Sequence, residues 1–158
     1  MLSFQIFISS LAGPLTMFFL VIATAILLYK IHDGKESYIL FFSSTLAMCI
    51  SYTLKYLLKI PRPEMMLVPE ADFRFPSGHA TMASVVMALG IHYAHAHIKN
   101  KPLRYTLYAV AFLWYALVSY SRLYLNVHYP IDVLVGGAVG VFSTILILLL
   151  FKHLRYYR

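Results

Sequence analysis

Several long apolar runs, separated by short polar connectors, constrain the fold of this chain more than any other feature. A helix needs about 20 apolar residues to cross the hydrocarbon core of a bilayer, and these runs approach that length. We place about five transmembrane helices at residues 14–31, 37–58, 79–98, 103–123 and 130–151. Residues 2–12 are too short to cross and are interpreted as a short N-terminal interfacial helix. The sequence therefore predicts an all-α, polytopic membrane helix bundle that forms one domain over residues 1–158.

Composition supports this class over its main alternative, a soluble protein with a very large core. The chain is 61% hydrophobic and only 12% charged, far more apolar than an average soluble domain. Its net charge of +7 is compatible with nucleic-acid binding. In a membrane protein, however, such a charge more often reflects loops that face anionic headgroups. We therefore expect the bilayer, and no nucleic acid, as a partner.

Basic residues predict the orientation of the bundle. Five alternating spans place the connectors 32–36 and 99–102 on the same face as the C-terminus. This face and its flanks carry eight basic residues, namely Lys30, Lys35, Lys99, Lys101, Arg104, Lys152, Arg155 and Arg158. The opposite face carries five, namely Lys55, Lys59, Arg62, Arg74 and Arg122. The positive-inside rule puts the first face in the cytoplasm, so the second points to the periplasm or cell exterior.

The first of three polar clusters on the outer face is "KYLLKIPRP", which follows the second predicted span. Lys55 and Arg62 are seven residues apart, so a continuous helix would bring both cations to one side. Pro61 and Pro63 should end the helix and leave Arg62 in a rigid turn. Taken alone, the cluster fits a pair of basic side chains that snorkel to the interface.

The second cluster, "FRFPSGHAT", opens the third predicted span. Pro76 ends the preceding segment, and Ser77 is the predicted N-cap before Gly78 and His79. Free N–H groups in a first helical turn form an anion site, and glycine permits the close approach of a phosphate. His79 adds a proton donor. The alternative is an ordinary helix start with an interfacial histidine.

The third cluster, "SRLYLNVHYPID", connects the fourth and fifth predicted spans. Arg122 ends the fourth span, His128 lies in the connector, and Pro130 begins a new helix. Asp132 falls in the first turn, where its carboxylate is able to reach the His128 ring. A carboxylate on one ring nitrogen fixes the tautomer and leaves the other nitrogen free to attack or to accept a proton. Alternatively, Asp132 only complements the helix dipole.

Together the clusters place two arginines, one lysine, two histidines and one aspartate on a single membrane face. Ionisable groups beside lipid are costly and mark functional sites. The three segments resemble the motifs of the type 2 phosphatidic acid phosphatase (PAP2) superfamily, which shares its site with vanadium haloperoxidases. That pattern is Lys, six residues, Arg-Pro; then Pro-Ser-Gly-His; then Ser-Arg, five residues, His, three residues, Asp. Here it begins at Lys55, Pro76 and Ser121, complete and in order.

The resemblance covers about half of the chain, and it implies a lipid phosphatase that uses a phosphohistidine intermediate. His128 would be the nucleophile, Asp132 would orient it, and His79 would be the general acid and base. The resemblance also implies a phosphate-binding set, formed by Lys55, Arg62, Ser77, Gly78 and Arg122. No metal and no cofactor is expected, because the cationic side chains take the place of a metal. The usual membrane members have six spans, so the predicted set lacks one before Pro14.

Other features leave alternatives open. His92, His95 and His97 could bind a metal, but they lie ~20 Å along the helix from His79, and a solvated interfacial role is favoured. Glu64, Glu70 and Asp72 would repel a phosphate unless they pair with Arg74 or Lys59. Gly136 and Gly140 form a GxxxG spacing that predicts close helix packing.

Two further functions compete with a lipid phosphatase. One is a catalytically silent lipid-binding or transport protein, which would need neither His128 nor Asp132. The other is a haloperoxidase that holds vanadate, but the apolar spans favour a lipid substrate. The candidate substrates are lipid A 1-phosphate, undecaprenyl diphosphate, phosphatidylglycerophosphate and phosphatidate. The size of the chain and its outer-face site indicate an enzyme of the bacterial inner (cytoplasmic) membrane, with its active site toward the periplasm or exterior.

Overall fold

The structure, a computed structural model, describes residues 1–31 and 34–156. The described residues form six helices and no strand, which confirms the all-α prediction. The helices are α1 (Leu2–Leu11), α2 (Pro14–Ile31), α3 (Gly34–Leu58), α4 (Gly78–His97), α5 (Lys101–Tyr124) and α6 (Pro130–Tyr156). Each predicted segment corresponds to one of these helices, with ends that differ by a few residues.

The ends of the helices follow from local chemistry. The Ser77 side chain accepts a hydrogen bond from the amide of Ala80, which confirms Ser77 as the N-cap of α4. Asn100 caps α5 in the same way, by accepting from the amide of Leu103. Helix α3 ends one residue before Lys59, which adopts a left-handed conformation with φ of 47°. The chain therefore leaves the helix just before the two prolines that were expected to end it.

Two of the described helices are long and apolar enough to cross a membrane by themselves, Gly34–Leu58 and Pro130–His153. A third candidate is the pair Leu2–Leu11 and Pro14–Leu27, which meets the same test as one span bent by 45°. Helices α4 and α5 are long enough but not apolar enough to be identified as membrane spans in the same way. Polar side chains account for this, since α4 ends in three histidines and α5 carries several tyrosines.

Helix α4 is the centre of the bundle and packs against both α5 and α6, while α3 packs against α2 and α6. The α4–α6 contact is tight at Gly136 and Gly140. A Cβ at Gly136 would collide with the carbonyl oxygen of Ser77, and one at Gly140 would collide with the side chain of Ser84. The close packing predicted from the GxxxG spacing is therefore confirmed, and it ties the start of α4 to the start of α6.

Candidate active site

The three polar clusters meet at one end of the bundle. Helix α3 ends there, α4 begins there, and the α5–α6 connector passes beside both. Backbone bonds join the clusters, since the amide of Ser77 donates to the carbonyl of Asp132 at 3.0 Å. The Arg62 side chain donates to the carbonyl of Val127 at 3.1 Å. The prediction that these segments form one site therefore agrees with the fold.

A cavity of about 290 Å³ lies at this junction. It is lined by Gly13, Pro14, Leu15, Thr16, Tyr52, Lys55, Arg62, Glu70, Asp72, Gly78, His79 and His128. Five of the eight predicted site residues thus line the cavity. The other three, Ser77, Arg122 and Asp132, are fully buried next to it. Ser77 and Asp132 act on the site through the residues that they contact, and Arg122 lies directly behind the cavity-lining Glu70 with which it pairs.

His128 and Asp132 are paired as the sequence predicted. The Nδ1 atom of His128 lies 3.5 Å from an Asp132 carboxylate oxygen, and both side chains are almost completely buried. This separation exceeds an ordinary hydrogen bond, and Nδ1 has no hydrogen-bond partner among the described residues. The contact is therefore electrostatic in this state, and a small ring movement would convert it into a hydrogen bond.

The other ring nitrogen of His128 is directed at a cation. Its Nε2 atom lies 3.4 Å from Nη1 of Arg62, a cavity-lining residue. A guanidinium only donates, so Nε2 must be the unprotonated nitrogen and Nδ1 must carry the proton. This tautomer directs N–H toward Asp132 and a lone pair into the cavity, as a nucleophile requires.

The environment of His128 keeps its imidazole neutral. Burial, reinforced by the positive charges of Arg62, Arg122 and Lys55, lowers the pKa of His128 to about 4, although Asp132 opposes the shift. Burial dominates because the ring has almost no contact with solvent. His128 is thus uncharged and available as a nucleophile near neutral pH.

Asp132 has two further partners that fix its carboxylate. One oxygen accepts the backbone amide of Tyr129 at 2.8 Å. The other accepts a hydrogen bond from Arg74, whose guanidinium also lies 4.6 Å from the centre of the Tyr129 ring. Arg74 does not line the cavity. It therefore reaches His128 only through Asp132.

Helix α1 forms part of the site. The fully buried Arg122 donates a hydrogen bond to the side chain of Ser9, and the backbone of Ser9 interacts with the His79 imidazole. Ser9 and Gln5 are themselves buried, and the α1–α2 corner at residues 13–16 lines the cavity. The prediction of an interfacial helix thus misses the inward face of α1, which packs on the site.

Two acidic residues of the 59–77 connector, Glu70 and Asp72, pair with cations of the site rather than with Arg74 or Lys59, the alternatives that the sequence left open. Asp72 lies 3.0 Å from Nζ of Lys55 and also pairs with Arg62. Glu70 pairs with Arg122 and lies 3.6 Å from Arg62. Burial raises the pKa of Asp72, but hydrogen bonds from Arg62 and Lys55 outweigh it and hold that pKa below its usual value. Asp72 is therefore ionised at neutral pH.

The three histidines at the far end of α4 do not assemble a metal site in the part of the chain that the structure describes. His97 contacts a Glu36 carboxylate oxygen at 2.7 Å, and His95 contacts the Tyr108 hydroxyl at 2.9 Å. Each has a partner of its own on another helix. The favoured interfacial role is consistent with these contacts.

A comparison with known protein families identifies the family of this chain. The model of the PAP2 superfamily matches residues 36–156, which include all three polar clusters. The chain belongs to the PAP2 superfamily. With its apolar helices, this membership makes the chain an integral membrane protein, and it confirms the resemblance seen in the motifs.

Two curated relatives are similar in sequence. Phosphatidylglycerophosphatase B of Bacillus subtilis (strain 168) is 32% identical over 117 residues, covering 71% of this chain and 55% of the relative. Undecaprenyl-diphosphatase of Sulfolobus acidocaldarius is 30% identical over 124 residues, covering 74% of this chain and 56% of the relative. The chain thus spans about half the length of the curated relatives it matches.

Two crystal structures share the fold. A transmembrane PAP2-type phosphatidylglycerolphosphate phosphatase from Bacillus subtilis superposes with a TM-score of 0.78 at 24% identity, covering 99% of this chain and 79% of the other. Aquifex aeolicus LpxE superposes with a TM-score of 0.72 at 27% identity, covering 93% of this chain and 84% of the other. The helical arrangement described above is therefore that of known PAP2 structures.

Besides the lining residues of α2 and α3, four residues outside the PAP2 motifs form a hydrogen bond or ion pair with a predicted site residue and were not predicted as part of the site: Ser9, Glu70, Asp72 and Arg74. The only signal in the sequence was the charge of the last three beside the second motif. Their charge indicates that these residues have ionic partners, but the identity of those partners depends on the fold of the connector. Ser9 carried no signal at all.

Proposed function

We propose that this chain is a lipid phosphatase that hydrolyses a phosphate monoester or diphosphate of a membrane lipid through a phosphohistidine on His128. The observation that carries the proposal is the position of His128. Its Nε2 lone pair enters the cavity beside Arg62, and its Nδ1 is backed by Asp132. A protein that only bound lipid phosphate would need the cations but not this oriented imidazole.

The proposed reaction has two steps. In the first, Nε2 of His128 attacks the terminal phosphorus, the bond from phosphorus to the leaving oxygen breaks, and His79 donates a proton to that oxygen. The leaving oxygen is the ester oxygen of a monoester or the bridging oxygen of a diphosphate. In the second, His79 takes a proton from water, the water oxygen attacks phosphorus, and the bond to His128 breaks. The products are inorganic phosphate and a lipid that has lost one phosphate, which is an alcohol from a monoester and a monophosphate from a diphosphate.

Charge stabilisation in both steps is assigned to Lys55, Arg62 and Arg122. Negative charge is spread over the phosphoryl oxygens in the transition state, and fixed cations in a buried site stabilise it. Gly78 lines the cavity at the start of α4, where backbone N–H groups are free to bind an anion. Ser77 positions this turn, because its hydroxyl caps the helix. The proposed chemistry uses no metal and no cofactor.

The candidate substrates share a phosphate at the membrane surface. They are lipid A 1-phosphate, undecaprenyl diphosphate, phosphatidylglycerophosphate and phosphatidate. The names of the two curated relatives support the second and the third. Phosphate release by the purified chain from a panel of all four lipids tests the function. Release from at least one lipid, abolished by His128→Ala, is expected. Binding of orthovanadate without release from any of them would favour a lipid-binding protein instead.

The proposed membrane arrangement is a single domain over residues 1–158 with about five crossings, α2 to α6. We place it in the bacterial cytoplasmic membrane with the site facing the periplasm or exterior. Support comes from the basic residues, eight on the opposite face against five on this one.

Labelling of introduced cysteines tests this arrangement. In a Cys49→Ser background, Met65→Cys lies in the exposed connector at the site, and Lys99→Cys lies exposed between α4 and α5. A membrane-impermeant maleimide should label position 65 in intact cells or spheroplasts, and position 99 only after permeabilisation. The reverse pattern would put the site in the cytoplasm.

A further inference from the structure

The carboxylates of Glu70 and Asp72 occupy the place that a phosphate should take. Asp72 pairs with Lys55 and Arg62, and Glu70 pairs with Arg122 and lies near Arg62. Every cation assigned to phosphate therefore already has a carboxylate partner. Both acidic residues line the same cavity as His79 and His128. A substrate phosphate has to displace them.

Burial shows which partners are able to leave. The side chains of Lys55 and Arg122 are 4% and 0% exposed, whereas those of Asp72 and Glu70 are 34% and 24% exposed. Lys55 and Arg62 thus line the inner part of the cavity, with Arg122 buried directly behind Glu70, and the more exposed carboxylates approach these cations from the solvent side. They belong to an irregular connector rather than to a helix. Release of the carboxylates into water is consequently far less costly than movement of the cations.

Charge determines what is able to displace them. Three cations against two carboxylates leave one net positive charge in the unliganded site. A terminal phosphate carries about 1.5–2 negative charges near neutral pH. A phosphodiester, the headgroup linkage of ordinary phospholipids, carries one. In a bilayer these phosphodiesters greatly outnumber the substrate, so a cradle of free cations would be filled by them.

We infer that Glu70 and Asp72 are specificity-determining residues. By pairing with the cations of the phosphate site they exclude phosphodiester headgroups, and only a terminal phosphate displaces them. This inference rests on the proposed function and adds the selection step to it. The two carboxylates act as built-in competitors: a ligand enters only if its interaction with the three cations exceeds theirs. Selection of this kind rejects abundant lipids without any recognition of the rest of the headgroup.

The experiment compares wild type with Glu70→Gln/Asp72→Asn, in which both side chains keep their shape and lose their charge. Phosphate release from phosphatidate is measured in uncharged detergent micelles, with phosphatidylglycerol added as the phosphodiester competitor. Added phosphatidylglycerol also dilutes the substrate on the micelle surface. Parallel samples therefore receive an equal amount of extra detergent in place of phosphatidylglycerol. In wild type, the competitor should have no effect beyond dilution. The inhibition constant of phosphatidylglycerol should be at least about tenfold lower for the double variant than for wild type.

Glu64→Gln is the matched control, because Glu64 lies exposed in the same connector and does not line the cavity. It should behave as wild type. A thermal-unfolding measurement gives a second readout that needs no turnover: phosphatidylglycerol should raise the Tm of the double variant and not that of wild type. If the double variant does not purify as folded protein, Asp72→Asn alone keeps the Glu70–Arg122 pair and should show the same direction of change.

The possible failures are distinguishable. Inhibition of wild type and double variant with inhibition constants within about twofold, together with equal Tm shifts, would overturn the inference and leave the phosphatase activity intact. Absence of phosphate release from wild type with every lipid of the panel would instead overturn the proposed function. In that case, the Tm arm still decides whether the carboxylates exclude phosphodiesters.

Discussion

The two ends of α4 carry four of the chain's seven histidines, but they differ in what surrounds them. At the first end, His79 lines a cavity to which α2, α3 and the 59–77 and 125–129 connectors also contribute. At the other end, His97 is 58% exposed in its side chain and contacts one carboxylate of α3. The histidine-rich end has more imidazoles, yet the end with one histidine has the site. Convergence of several elements on a buried cavity, rather than the number of ionisable residues, identifies the place where chemistry is possible.

The largest effect is expected from His128→Ala, at the end of α4 where several elements line the cavity. Loss of the nucleophile should reduce kcat by roughly 10⁴-fold or more, because the remaining groups cannot form the covalent intermediate. His79→Ala should cost about 10²–10⁴-fold through loss of the general acid and base. Phosphate release measures both. Near-normal release by His128→Ala would show that the nucleophile is misassigned.

Arg74→Gln should have an intermediate effect. It removes a charged hydrogen bond to Asp132, so the carboxylate loses one of the contacts that hold it against His128. We expect kcat to fall on the order of tenfold, the value of one such bond, with partial recovery in Arg74→Lys. Inhibition by orthovanadate should be unchanged, because Arg74 does not line the cavity. A matching loss of orthovanadate affinity would mean that the substitution only disrupts the fold of the site.

The pH dependence provides a sharper test of the same end. In the proposed reaction His128 attacks only when neutral, and its lowered pKa of about 4 keeps it neutral well below the ordinary histidine value of 6.5. In the free protein, an NMR titration of the His128 ring should therefore show a neutral imidazole at pH 5 and protonation only as the pH drops through about 4. A titration midpoint near pH 6.5 would contradict the burial described for the His128 ring.

The smallest effect is expected at the histidine-rich end. The variant His92→Ala/His95→Ala/His97→Ala should keep activity within about twofold, since these residues pair with Glu36, Tyr93 and Tyr108 and none of them lines the cavity. Treatment with EDTA should be equally harmless, whereas orthovanadate should inhibit. Loss of activity in EDTA, with recovery in Mg²⁺, would contradict the roles given to Lys55, Arg62 and Arg122.

Much of the site could be predicted because its residues occur at fixed spacings beside helix ends. Ser77 is the N-cap of α4 and Asp132 lies in the first turn of α6, and at such positions local chemistry is sufficient to place a side chain. The partners of Glu70, Asp72 and Arg74 could not be predicted in this way. They lie in a long irregular connector, whose path depends on contacts with distant parts of the chain. Ser9 is the extreme case, since it is 113 residues from the arginine that it contacts.

The proposed membrane crossings show the same limit. Hydropathy identifies helices α3 and α6 as spans, because most of their side chains are apolar. Helix α4 does not, because it is buried by its neighbours and can therefore carry serine, threonine and histidine. Its position in the centre of the bundle explains its polarity. The inward face of α1 was missed for a related reason: Gln5 and Ser9 are polar, yet both are buried, and Ser9 accepts a hydrogen bond from Arg122.

The glycine contact between α4 and α6 has a consequence for the genetics of this protein. Gly136 presses on the carbonyl of Ser77, and one turn away Ser77 is bonded to the backbone of Asp132. Any side chain at residue 136 wedges the two motifs apart, although glycine takes no part in the reaction. A screen for null alleles should thus recover Gly136 substitutions alongside those of His128. Such alleles would mimic catalytic lesions while reporting only the fit between two helices.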